Sequence, residues 1–100
     1  MIPKYRKPVK PGEILLKEFL EPMGITQVEL ARRMGVPIQR VNTLINGKRV
    51  MTARTAVLIS RELKTTVEFW MNLQAAYDLD VATRALADRI KRDVHPREAA

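Results

Sequence analysis

One hundred residues, 46% apolar and 29% charged, suit a single small soluble-type domain with one modest core. No apolar run approaches about 18 residues, so no membrane span is expected, and the absence of cysteine excludes disulfides and thiolate zinc sites. The net charge of +7 points to a polyanionic partner, and its distribution sharpens that expectation.

Residues 1–10 carry Lys4, Arg6, Lys7 and Lys10 with Pro3 and Pro8, and read as an irregular basic arm. They lack an apolar h-region, so no secretory signal is read and a cytoplasmic location is expected. Pro11 suits the first turn of a helix to about Leu20, with Ile14, Leu15, Phe19 and Leu20 on one face and Pro22 and Gly24 ending it. Thr26 and Glu29 form a capping pattern for a second helix. Its inner side is Val28, Leu30, Ala31 and Met34, and Gly35 closes it. Pro37 opens a third helix that Asn46-Gly47 ends. Thr52 caps a fourth with Ala56, Val57, Ile59 and Leu63 inward, and Thr66 caps a fifth from Val67. The stretch "VATRALADRIKRD" continues as helix to Asp93, with Ala82, Leu86 and Ile90 apolar. No strand-length alternation or internal repeat is present. The expected fold class is all-α: a basic arm over 1–10, a five-helix domain over 11–80 and a helical extension and tail over 81–100.

Charge and polarity single out the third helix. Residues 30–64 hold Arg32, Arg33, Arg40, Lys48, Arg49, Arg54, Arg61 and Lys64 against one acid, Glu62. In "VPIQRVNTLINGK", Val41, Leu44 and Ile45 cluster on one side at about 100° per residue. The opposite arc holds Gln39, Thr43 and Asn46, flanked by Asn42 and Arg40. A merely solvated arc usually fills with Glu and Lys, whereas amides and hydroxyls match the hydrogen-bonding edges of bases. Helix, short turn, helix is the helix-turn-helix arrangement, in which the second helix enters the major groove.

The stretches "PGEILLKEFLEPMGITQVELARRMGV", "INGKR" and "EFWMNLQAAYDL", within residues 11–79, resemble the HigA-type antitoxins of bacterial toxin–antitoxin pairs. These are a branch of the phage-repressor helix-turn-helix domains. The resemblance implies a lambda-repressor-like domain that dimerises, represses its own operon and binds a small RelE-like ribonuclease toxin. Arg54 stands where relatives often carry an acid, and Lys10 where they often carry His. Residues after Leu79 lie outside the shared pattern.

By position in the motif, Gln39, Asn42 and Thr43 contact bases, while Gln27, Arg40, Lys48 and Arg49 hold phosphates, Gln27 aided by the positive end of its helix. Ile38 has two readings, the margin of the core or a thymine methyl contact. Arg32 and Arg33 suit either a polyanion or the C-terminal end of their own helix dipole.

The surplus apolar residues Trp70, Leu73, Tyr77, Leu86 and Ile90 are the expected homodimer interface, giving two reading helices for an inverted-repeat operator in duplex DNA. Residues 81–93 serve equally as a dimer element, a toxin contact or a frayed tail. The acids Glu13, Glu18, Glu21, Glu68, Asp78 and Asp80 lie away from the third helix in sequence, and Glu18 and Glu21 are the expected contacts for a basic toxin. One histidine, His95, one serine, Ser60, and no glycine-rich phosphate loop leave no inventory for an enzyme, a metal site or a cofactor. A stand-alone phage-type regulator and a non-DNA-binding adaptor remain the alternatives.

Overall fold

A proline with a fixed φ and no N–H begins the first helix, where neither property costs a hydrogen bond. The computed structural model describes residues 8–98, so the basic arm expected at Lys4, Arg6 and Lys7 lies outside the described residues. Helix α1 spans 11–23 as three continuous segments: α-helical Pro11–Ile14, π-helical Leu15–Leu20 and α-helical Glu21–Met23. It passes the expected end at Leu20. A wider π turn ahead of Pro22 relieves the clash a proline ring makes with a carbonyl one regular turn earlier. Gly24, at φ +67°, then stops the helix, and the Ile25 N–H donates back to the Leu20 carbonyl at 2.9 Å.

Four further helices follow: α2 Gln27–Met34, α3 Ile38–Ile45, α4 Ala53–Leu63 and α5 Val67–Asp93. No strand occurs among the described residues. Thr26, Thr52 and Thr66 each accept the backbone N–H three residues on, from Glu29 (3.0 Å), Thr55 (3.3 Å) and Phe69 (3.0 Å). The expected caps are therefore the real ones.

Leu15, Leu20, Leu30, Val41, Met51, Ile59 and Trp70 are the largest fully buried side chains and bring all five helices to one core. Two inward assignments were wrong: Val28 is 66% and Val57 43% exposed. On α2, Val28 lies about 60° beyond Ala31, outside the arc formed by Leu30, Ala31 and Met34, so helical period outweighs its apolarity. On α4, small polar Thr55 and Ser60 flank Ala56 and Ile59 in the interior instead. A third correction concerns Trp70, expected at a dimer interface but fully buried within the subunit. Its ring packs between Phe19 and Phe69, with centroids 5.2 and 5.0 Å away, and its Nε1–H donates to the Thr65 hydroxyl at 2.7 Å.

Close backbone approach sets the seat of α3. Gly12 is buried, and a Cβ there would lie 2.8 Å from the Ile45 Cα and closer still to the Leu44 carbonyl. Only glycine lets the start of α1 cross the end of α3 at that distance. At the other extreme, α5 continues past the core. Its last buried residue is Asp80, residues 81–98 are all exposed, and the molecule measures 55 × 28 × 21 Å.

Candidate nucleic-acid interface

The turn between α2 and α3 is built by Gly35 at φ +69°, with the Val36 N–H donating to the Ala31 carbonyl at 3.0 Å. Pro37 follows as the N-cap of α3. Val41 and Leu44 are buried beneath the helix, which leaves Gln39, Asn42 and Asn46 exposed and Thr43 and Arg40 half-buried. Ile38 is half-buried and packed on the core, which favours the first of its two readings.

The outward side chains are not equivalent, because some of their hydrogen-bonding capacity is already used. Gln39 makes no side-chain hydrogen bond among the described residues and keeps its whole carboxamide, the group that pairs bidentately with adenine. Thr43 donates its hydroxyl hydrogen to the Gln39 carbonyl (2.7 Å) and accepts from Arg49 Nε (3.3 Å). Its methyl is therefore the more available group for a base. The Asn42 Nδ2–H donates to Gln27 Oε1 at 3.3 Å, joining α3 to the N-terminal turn of α2. Asn46 Nδ2–H in turn donates to Asn42 Oδ1 at 3.2 Å.

Cations border this face. Lys48 and Arg49 are exposed in the turn after α3, where Gly47 sits at φ +75°. The Arg49–Thr43 bond couples an expected phosphate residue to an expected base residue. The Lys10 side chain lies over Gly47, where an added Cβ would be 2.5 Å from both its Cδ and Nζ. Lys10 thus adds a cation beside Lys48 and Arg49 that sequence assignment missed, because the contact joins residues 37 apart. Asn46, on the outward arc, is drawn into the same face through its bond to Asn42. Arg33 lies 3.5 Å from Glu29 and 3.8 Å from Glu62, ion pairs that brace α2 against α4.

Away from α3, Leu73 and Tyr77 are half-buried, whereas Leu86 and Ile90 are 41% and 45% exposed on the projecting end of α5. Glu18 and Glu21 are exposed on α1. Asp80 is buried beside Arg84, at 2.6 Å from its Nε, and Asp78 accepts from Gln74 Nε2 at 2.8 Å. Asp80 therefore serves α5 itself rather than an acidic surface, while Asp78 stays exposed. Among the described residues no three His, Asp or Glu side chains are grouped to hold a metal, and no helix is long and apolar enough to cross a membrane.

The family model for helix-turn-helix domains matches residues 16–70, more than half of the chain. Antitoxin HigA-1 of Vibrio cholerae is 53% identical over 74 residues, covering 74% of this chain and 70% of that protein. The chain belongs to the HigA-type helix-turn-helix family. Among solved structures, the Pseudomonas aeruginosa antitoxin HigA with the higBA promoter superposes with a TM-score of 0.87 at 36% identity, over 92% of this chain and all of that one. The antitoxin GraA in complex with its operator gives 0.85 at 37% identity, over 99% of this chain and 100% of that one. The all-α, five-helix expectation is borne out in this HigA-type chain, whose first helix contains a π turn and whose fifth runs from Val67 to Asp93.

Proposed function

We propose that this HigA-type chain is a sequence-specific DNA-binding repressor and the antitoxin of a toxin–antitoxin pair, acting in the cytoplasm. One observation carries the DNA half: the solvent face of α3 presents Gln39 with its carboxamide uncommitted, beside Asn42 and Thr43 and rimmed by Lys48, Arg49 and Lys10. Relatives of the same fold solved on promoter or operator DNA support it. Base contacts fall to Gln39, Asn42 and Thr43, with Ile38 at the margin. Phosphate contacts fall to Gln27, Arg40, Lys48 and Arg49.

A homodimer supplies two reading helices, about 34–36 Å or a multiple apart, for an inverted repeat. The projecting end of α5, with Leu86 and Ile90 uncovered, is the element we assign to it. The toxin is a RelE-like ribonuclease held at Glu18 and Glu21, away from α3, so that repression of its own operon and neutralisation coexist. The test is co-expression with the adjacent reading frame, followed by pull-down, a growth assay, and titration of the upstream DNA. Rescue of growth, co-purification and specific retention of that DNA are expected. No binding partner from the neighbouring frame ends the antitoxin assignment, and equal affinity for scrambled DNA ends the repressor assignment.

A further inference from the structure

The exposed amides of the helix-turn-helix form a directed chain. Asn46 Nδ2–H donates to Asn42 Oδ1 at 3.2 Å, and Asn42 Nδ2–H donates to Gln27 Oε1 at 3.3 Å. A carboxamide has two N–H donors and two carbonyl lone pairs, and its two ends differ only in which is which. An isolated Asn or Gln on a surface turns freely between the two presentations. Here each link removes that freedom from the next.

With Oε1 occupied by Asn42, Gln27 turns its Nε2 hydrogens outward. That is the orientation a phosphate requires, since a phosphate only accepts. Asn42 keeps one N–H and one lone pair, the complementary pair that reads an adenine edge, and the order in which it presents them is set by Asn46. Asn46 itself stands at the C-cap of α3 with φ −78°, a conformation open to any residue, and its own N–H closes the helix onto the Asn42 carbonyl at 3.0 Å.

We infer that Asn46 is a positioning residue for operator recognition: its amide fixes the orientation of Asn42 and, through Asn42, of Gln27. The inference rests on the DNA-reading function proposed above and adds to it a residue that acts on specificity without itself reading a base. Removing the donor in Asn46→Ala lets Asn42 present either face. In Asn46→Asp the side chain can only accept, so the Asn42 carboxamide turns over, directing Nδ2 toward residue 46 and Oδ1 toward Gln27.

The experiment begins with selection from a pool of randomised duplex DNA by the full-length wild-type chain. Affinities of wild type, Asn46→Ala and Asn46→Asp are then compared on the enriched duplex and a scrambled one. The ratio of the two affinities is the readout, because the uniform repulsion of an added carboxylate cancels in it. Asn46→Ala is expected to lower the ratio by about three- to thirtyfold, and Asn46→Asp to change the base preferred at one position. In an Asn42→Ala background the Asn46 substitutions should produce no further change. The side-chain amide NMR signals of Asn42 and Gln27 should move in Asn46→Ala while core backbone signals stay, which also establishes that the variant is folded.

A wild type that enriches no sequence removes the DNA-reading function itself. A wild type that enriches a motif which both Asn46 variants bind with an unchanged ratio removes only the relay. An effect that persists in the Asn42→Ala background makes Asn46 a base contact in its own right and overturns the positioning role.

Discussion

Gln74, on α5, accepts the buried main-chain N–H of Met51 through its Oε1 at 2.7 Å. Its Nε2 donates to Asp78 one turn further along, so the carboxamide is held at both ends. Met51 ends the connection that carries Lys48 and Arg49, and this single bond therefore ties the cationic rim of the interface to the longest helix. Gln74→Ala leaves a buried N–H without a partner, and a loss of roughly 1–3 kcal/mol in chemical denaturation is expected. The Met51 amide should lose hydrogen-exchange protection, and affinity for all duplexes should fall together.

Gln39→Ala should reduce discrimination between operator and scrambled DNA by about 1–3 kcal/mol and leave the salt dependence of binding unchanged. Lys48→Ala should do the reverse, weakening all duplexes alike and lowering the slope of log K against log salt by about one. Anisotropy titrations at three salt concentrations separate the two. A salt-independent wild type would contradict the charge argument altogether.

Arg49 sits between these behaviours because its Nε donates to Thr43 at 3.3 Å. Arg49→Lys keeps the charge and loses that fixed donor. Overall affinity should stay within about twofold while the preference at the base facing Thr43 relaxes, since the hydroxyl, still donating to the Gln39 carbonyl, is left with an accepting lone pair that no fixed donor occupies. Competition with single-position operator variants measures it.

Leu86→Asp combined with Ile90→Asp places charge on the exposed end of α5 and touches nothing in the core. Sedimentation equilibrium should show a dimer become a monomer, with operator affinity falling and the helical circular dichroism of the core retained. An unaltered dimer would move the interface elsewhere on the subunit.

Charge reversal at Glu18 and Glu21 should weaken binding of the toxin proposed above and leave operator affinity intact. Isothermal titration with each ligand in turn separates the effects. Equal loss on DNA would mean that α1 and α3 do not act as separate surfaces.

Much of the fold was legible because its punctuation is chemical. Thr26, Thr52 and Thr66 announce helix starts through an oxygen placed for one N–H, and Gly24, Gly35 and Gly47 announce stops through positive φ. Such signals act over three or four residues and are readable in one dimension. What stayed hidden acts across the chain. Trp70 was assigned outward because its helix looked overloaded with apolar residues, but Phe19 and Phe69 enclose it. Val28 and Val57 were assigned inward on apolarity, although neither lies on the arc its helix buries. Within the interface, Gln39, Asn42 and Thr43 could be picked out by type and period. Their division of labour could not, because it depends on partners at Gln27 and Arg49 that only the folded chain supplies.

The contact of Gly12 with Leu44 and Ile45 has a consequence for how such proteins diversify. The pitch and depth of α3 are set from behind, by main chain against main chain and by Val41 and Leu44 below. Of Gln39, Asn42 and Thr43 only Asn42 bonds to another helix, through its exposed link to Gln27, and none of the three belongs to the buried core. Gln39, Asn42 and Thr43 can therefore be exchanged as a set, like type in a fixed frame, and a new operator preference acquired without repacking the interior. The frame tolerates no such liberty at residue 12, where even one methyl group would push the reading helix out of register with its target.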